Sequence, residues 1–149
     1  MFNWLANPNR FNRITEKIQP CILLIAIITL ISGLYFGLFD SPKDYQQGDA
    51  VRIMYVHVPS AWLASFLYFS LAISCVFYLV WKHPLADLVS SSIAPIGALF
   101  SALTLVTGSL WGKPMWGTWW VWDARLTSML VLFFFYLGYI LLSNAFERK

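Results

Sequence analysis

The sequence predicts an all-α integral membrane protein built as a bundle of four transmembrane helices. Hydrophobic residues fill 59% of its 149 positions and charged residues only 11%, against roughly 25% charge in an ordinary soluble domain. A soluble fold of this composition would expose large apolar patches, and disorder is excluded by the same numbers. Four long stretches also lack Asp, Glu, Lys and Arg. About 20 residues at 1.5 Å rise cross a hydrocarbon core of roughly 30 Å, and lipid admits only helices or closed barrels because it cannot satisfy exposed backbone. The alternation expected of a barrel is absent.

The uncharged stretches are Cys21–Phe39, Ile53–Trp81, Leu88–Gly112 and Leu126–Phe146. They place spans at about 21–39, 57–81, 88–111 and 126–146, in one membrane domain covering 1–149. The first is too long for a typical signal-peptide core and is not followed by an A-x-A site, so it is expected to be retained. The second contains Pro59, which suits a helix start, and the third contains Pro95. Arg10, Arg13, Lys17, Lys82, Arg148 and Lys149 fall on one side of such a bundle, and Lys43, Arg52, Lys113 and Arg125 on the other. The bias puts both termini in the cytoplasm and the loops 40–52 and 113–125 on the outer, periplasmic side. Gly33-x-x-x-Gly37, Gly108-x-x-x-Gly112 and the row Ala94, Ala98, Ala102 are small-residue spacings that allow close helix packing.

The net charge of +3, scattered over short loops, forms no phosphate-binding stripe and excludes a nucleic-acid partner. Cys21 and Cys75 make no CxxC, CxxCH or zinc spacing and read as inert buried thiols, so no covalent haem site is expected. No GxSxG, HExxH or P-loop is present, and no span carries a carboxylate pair. No catalytic residue is assigned.

The informative segment is the loop 113–125. Five of the eight tryptophans fall between Trp111 and Trp122. One reading is an interfacial aromatic belt. The other is a flat apolar platform for a large planar ligand such as a porphyrin. Trp116, Trp119 and Trp120 share one face if the segment is helical. Arg125, Lys113 and Arg52 lie on the same side and could clamp propionates, arginine best because its fork is bidentate; headgroup anchoring is the alternative. Asp123 stands at an N-cap position for the fourth span. His57, at the outer entrance of the second span, is either an interfacial polar residue or an iron ligand. His83 lies in the opposite loop.

Trp116-Gly117-Thr118-Trp119-Trp120-Val121-Trp122-Asp123-Ala124-Arg125-Leu126-Thr127 resembles the WWD signature of haem-handling proteins. Tyr55-Val56-His57-Val58-Pro59-Ser60-Ala61-Trp62 resembles the first histidine region of the haem exporter protein C (CcmC) family. The resemblance runs along nearly the whole chain. It implies a non-enzymatic, haem b-binding protein of cytochrome c maturation in the bacterial inner membrane or an organellar equivalent. It further implies ABC-transporter partners CcmA and CcmB, the small subunit CcmD, and transfer of haem to the chaperone CcmE. On this reading His57 is an axial ligand of the haem iron, and Trp116, Trp119, Trp120, Trp122, Asp123 and Arg125 form the haem-binding platform. A haem lyase module and a cofactor-free structural subunit are the competing readings. The family pattern has six spans and a second axial histidine in an outer loop after the fifth; this sequence ends after the fourth, and the expectation is a chain truncated relative to that pattern. His83 lies on the wrong side to substitute, and Met115 is a poor replacement ligand.

Overall fold

A computed structural model of the chain describes residues 8–147. Four helices account for most of them: α1 (Pro8–Tyr35), α2 (Val51–Trp81), α3 (Pro84–Trp116) and α4 (Ala124–Glu147). Each contains a segment long and apolar enough to cross a membrane. Among the described residues no strand forms; the one β-type pairing is an isolated bridge between Asp44 and Gly48. Arg148 and Lys149, two of the charges used for orientation, lie outside the described residues.

The helices run past the uncharged stretches. Arg10, Arg13 and Lys17 belong to α1, because nothing in 8–20 except Pro20 breaks a helix, and a proline there removes only one backbone donor. The chain leaves α1 through a π-helical turn, Phe36–Asp40. The carbonyls orphaned at this end find partners: Arg52 Nη1 donates to Leu38 O at 3.2 Å, Arg52 Nη2 to Ser41 O at 3.1 Å, and Ser41 Oγ to Gly37 O at 2.7 Å. The following loop closes on itself, with Asp44 Oδ1 accepting the N–H groups of Gln46 and Gln47. It is tied to α3 where Trp111 Nε1 donates to Gln47 Oε1 at 2.9 Å.

The sequence suggested Pro59 as a helix start. Instead α2 begins at Val51, and Pro59 is interior. The first turn is already held by Arg52 N–H on Asp49 O and Ile53 N–H on Ala50 O, and spanning helices tolerate proline when neighbouring groups satisfy the freed backbone. α2 ends where Lys82 takes the left-handed conformation (φ 52°) and donates to Tyr78 O. The extended His83 then leads into Pro84, the first residue of α3, where a missing N–H costs least.

α2 packs along α3, and α3 against α4. α1 joins the others mainly through the π-helical turn that follows it, where Gly37 backs onto Tyr55; its apolar side chains from Ile18 to Tyr35 are exposed. Gly33 accordingly faces open space, so of the first small-residue pair only Gly37 makes a close approach. Cys21, expected to be buried, is exposed for the same reason, while Cys75 is half-buried; neither is in a disulfide.

The core sits on one face of α3. Ser90, Ala94, Ala98, Ser101, Thr104 and Thr107 are buried along it. Tyr136 of α4, fully buried, lays its ring over Gly97 and donates its hydroxyl to Ala64 O of α2 at 2.8 Å. One side chain thus bridges all three packed helices. Tyr68 meets the Tyr136 ring edge-on, with centroids 5.6 Å apart.

A methyl group at position 97 would overlap the Tyr136 ring, whereas position 138 is open. Gly97→Ala is expected to destabilise the bundle by about 1–3 kcal/mol, the range for overpacking. Gly138→Ala should leave it unchanged or slightly firmer. Thermal unfolding of the two variants in the same detergent, followed by helical circular dichroism, tests the contrast.

Candidate functional site

His57 and the tryptophan loop are brought to the same end of the bundle, and α3 is the ruler between them. His57 projects from α2 against α3. Its Nδ1 lies 3.1 Å from Thr107 Oγ1, and a Cβ placed on Gly108 would lie 3.1 Å from its Cε1. Leu126, from the first turn of α4, reaches within 3.4 Å of the same point. The imidazole therefore seats where α3 has no side chain to keep it away. One turn further along α3, about 6 Å at 1.5 Å per residue, Gly112 packs against the Trp116 ring and Thr118 O. His83 is in the turn at the opposite end, between α2 and α3.

The loop is shorter than the sequence suggested. Lys113, Pro114, Met115 and Trp116 continue α3, which stops at Gly117. Gly117 adopts φ 77°, a conformation that favours glycine, and donates to Lys113 O at 3.0 Å. Residues 117–123 are irregular, so Trp116, Trp119 and Trp120 do not share a helical face. The rings also do not form a flat sheet. Trp111 and Trp116 meet edge to face with centroids 5.1 Å apart, and Trp120 and Trp122 do the same at 5.3 Å. The result is a folded aromatic surface on which Trp122 (75%) and Trp119 (55%) are the most exposed indoles. The half-buried Trp120 carries a buried Nε1–H with no acceptor, and so does Arg52 at Nε.

Asp123, Arg125, Lys113 and Arg52 all have partners within the chain. Asp123 is the N-cap of α4, with Oδ1 accepting the Leu126 N–H at 2.9 Å. Its Oδ2 accepts from Arg125 Nε at 2.9 Å and Nη2 at 2.7 Å. The Leu126 N–H and then the Arg125 guanidinium hold the Asp123 carboxyl below the usual carboxylate range. Arg125 also stands over the Trp116 ring, 5.1 Å from its centroid. Lys113 donates to Gly117 O and lies 5.8 Å from the Trp119 ring. Arg52, which the sequence offered as a propionate clamp or a headgroup anchor, is engaged by the carbonyls of Leu38 and Ser41.

Sequence reasoning missed Thr107 and Gln47, and assigned Gly108 to generic packing. The tie from Gln47 to Trp111 crosses from loop to helix and leaves no local signature. A hydroxyl residue directly before a small-spacing glycine was the only hint at Thr107. Among the described residues no three His, Cys, Asp or Glu side chains converge, so His57 is not part of a zinc-type cluster.

The chain matches the family model described as "Heme exporter protein C" (CcmC) over residues 1–149. The chain belongs to the heme exporter protein C family. It is 51% identical over 143 residues to the heme exporter protein C of Bradyrhizobium diazoefficiens, covering 96% of this chain and 54% of the relative. It is also 51% identical to the protein of that name in Haemophilus influenzae, covering 100% of this chain and 62% of the relative. A putative cytochrome c biosynthesis ccmC-like mitochondrial protein of Marchantia polymorpha is 59% identical over 106 residues, covering 71% of this chain and 46% of the relative. The chain thus spans between about half and two thirds of the length of these relatives. Family membership and four spanning-capable helices make it a multi-pass membrane protein.

The cap at Asp123 has a definite pH signature. Because the folded carboxyl is held below its ordinary value of 3.8, its contribution to stability is complete above that value and is lost as pH falls through the lowered folded one. Asp123→Asn keeps an oxygen for the Leu126 N–H but loses the ion pair, and Asp123→Ala loses both. Melting temperatures are expected in the order wild type, Asn, Ala at neutral pH, with wild type and Asn converging in strong acid.

Proposed function

We propose that the chain binds haem b as a non-covalent cargo, with His57 as an axial ligand of the iron, and presents it at the tryptophan end of the bundle for transfer. The observation that carries this is the placement of His57 one α3 turn from the Trp116–Asp123 loop, in a notch made by Gly108. Haem brings a planar apolar ring, an iron that accepts a lone pair, and two carboxylates. The residues fit it: an imidazole backed by a hydroxyl, exposed indoles, and a buried Trp120 N–H that has no acceptor and could take one from a propionate.

In this reading Trp116, Trp119, Trp120 and Trp122 contact the ring. Arg125 divides its charge between Asp123 and a propionate, and Asp123 orients the guanidinium while capping α4. On this reading the site binds and presents haem rather than acting on its bonds. The relatives are named heme exporters, and the family resemblance supplies the proposed context. Haem passes to the chaperone CcmE during cytochrome c maturation, with CcmA, CcmB and CcmD as membrane partners. The excess of Arg10, Arg13, Lys17, Lys82, Arg148 and Lys149 at one side, six basic residues against four, favours cytoplasmic termini and a periplasmic tryptophan end.

Purified membranes carrying the chain should show a Soret band that His57→Ala abolishes or shifts, with haem retention falling beyond the ~10–100-fold typical of outer-shell changes. Trp119→Phe combined with Trp120→Phe should weaken retention while leaving the Soret position in place, since the iron ligand is untouched. Unchanged haem content and band position in His57→Ala would overturn the assignment.

A further inference from the structure

The hydroxyl of Thr107 has one proton and two backbone carbonyls of its own helix within reach. Thr107 Oγ1 donates to Leu103 O, four residues back along α3, at 2.7 Å. The same oxygen lies 3.1 Å from His57 Nδ1. With its proton committed to the carbonyl, Oγ1 can meet the imidazole only as an acceptor. The Thr104 carbonyl, 3.3 Å from the same hydroxyl oxygen, is the other acceptor within reach of that proton. On either carbonyl the proton points away from the ring, so the α3 side of the imidazole calls for an N–H.

We propose that Thr107 is a positioning residue that locks His57 in the Nδ1–H tautomer and leaves the lone pair on Nε2, the nitrogen that would meet iron. The inference rests on the haem reading above for its purpose, but the lock itself is a property of the ligand-free chain. Gly108 is the second part of the device. Without a Cβ there, the ring edge at Cε1 approaches α3 closely enough for Nδ1 to reach the hydroxyl. A histidine that binds metal through one nitrogen commonly donates its other N–H to an oxygen, which fixes both tautomer and ring plane. Here that oxygen is anchored to a helix backbone, so the ring plane is tied to α3, the helix that also carries Trp111 and Trp116.

The chain has two histidines, His57 and His83, so His83→Gln leaves one imidazole to observe. ¹⁵N-histidine-labelled protein in lipid nanodiscs, without haem and at a pH where imidazole is neutral, should show Nδ1 protonated and Nε2 bare. Thr107→Val, of the same shape, should move the population toward the Nε2–H tautomer, and Thr107→Ser should restore the wild-type pattern. In haem-loaded samples Thr107→Val should lower haem affinity about 10–100-fold, with Thr107→Ser within a few-fold of wild type. A dominant Nε2–H form in the wild type, or an unchanged tautomer in Thr107→Val, would overturn the lock. If the lock is seen but His57→Ala keeps its haem, the lock stands, and its role in ligation falls with the haem reading.

Discussion

Along one face α3 carries only glycine, alanine, serine and threonine, and that bareness decides what its neighbours can do. Without long side chains in the way, the rings of α2 and α4 reach the α3 backbone. Tyr136 lies over Gly97 and His57 beside Gly108, while α3's own Trp116 ring folds back beside Gly112. In lipid there is no hydrophobic force between helices to pull these elements together, so close contact and hydrogen bonding carry the packing. A single stripe of small residues thereby fixes three things: the core, the seat of the imidazole and the stem of the tryptophan loop.

The buried hydroxyls of α2 and α3 follow one rule. Ser60, Ser90, Ser101, Thr104 and Thr107 are buried, and each donates to the carbonyl four residues earlier in its own helix. This local bond removes the cost of a buried donor and makes each oxygen an acceptor toward the next helix. At Thr107 an imidazole arrives to use it. The same need to satisfy every backbone group explains Arg52. The π-helical turn that ends α1 leaves carbonyls that only a long-range donor can reach, and the guanidinium reaches two of them.

The helices could be read from the sequence because the bilayer leaves few alternatives once an uncharged stretch of sufficient length is present. Their ends could not, since apolar length marks where hydrocarbon is tolerated and not where backbone bonding stops. Arg10 and Lys17 are helical although charged, and Val51 to Val56 extend α2 ahead of Pro59. The candidate site was legible as a segment, since the run from Trp116 to Arg125 is distinctive in composition. Geometry was not. A shared indole face requires helix through 120, and Gly117 in the left-handed region ends the helix before it can form. The role of Asp123 was visible because capping is local, whereas the roles of Arg52 and Thr107 depend on what α1 and α2 bring to them from far along the chain.

Charge at the tryptophan end bears on how a cargo would be held. Lys43, Arg52, Lys113 and Arg125 are matched in number by Asp40, Asp44, Asp49 and Asp123, so no net field draws an anion there. Each of the four cations is already engaged: Lys43 with Asp49, Arg52 with the carbonyls of Leu38 and Ser41, Lys113 with Gly117 O, and Arg125 with Asp123. Exposed ion pairs contribute little, so exchanging the Asp123 carboxylate for a propionate on Arg125 changes the energy only slightly in either direction. On the proposed reading the grip therefore falls on directional contacts: the His57 lone pair, the indole faces and the Trp120 N–H. Such contacts can be replaced one at a time by a partner that offers an alternative ligand and an alternative apolar face. A site that attracts its cargo weakly from afar and holds it through separable contacts suits handover better than storage.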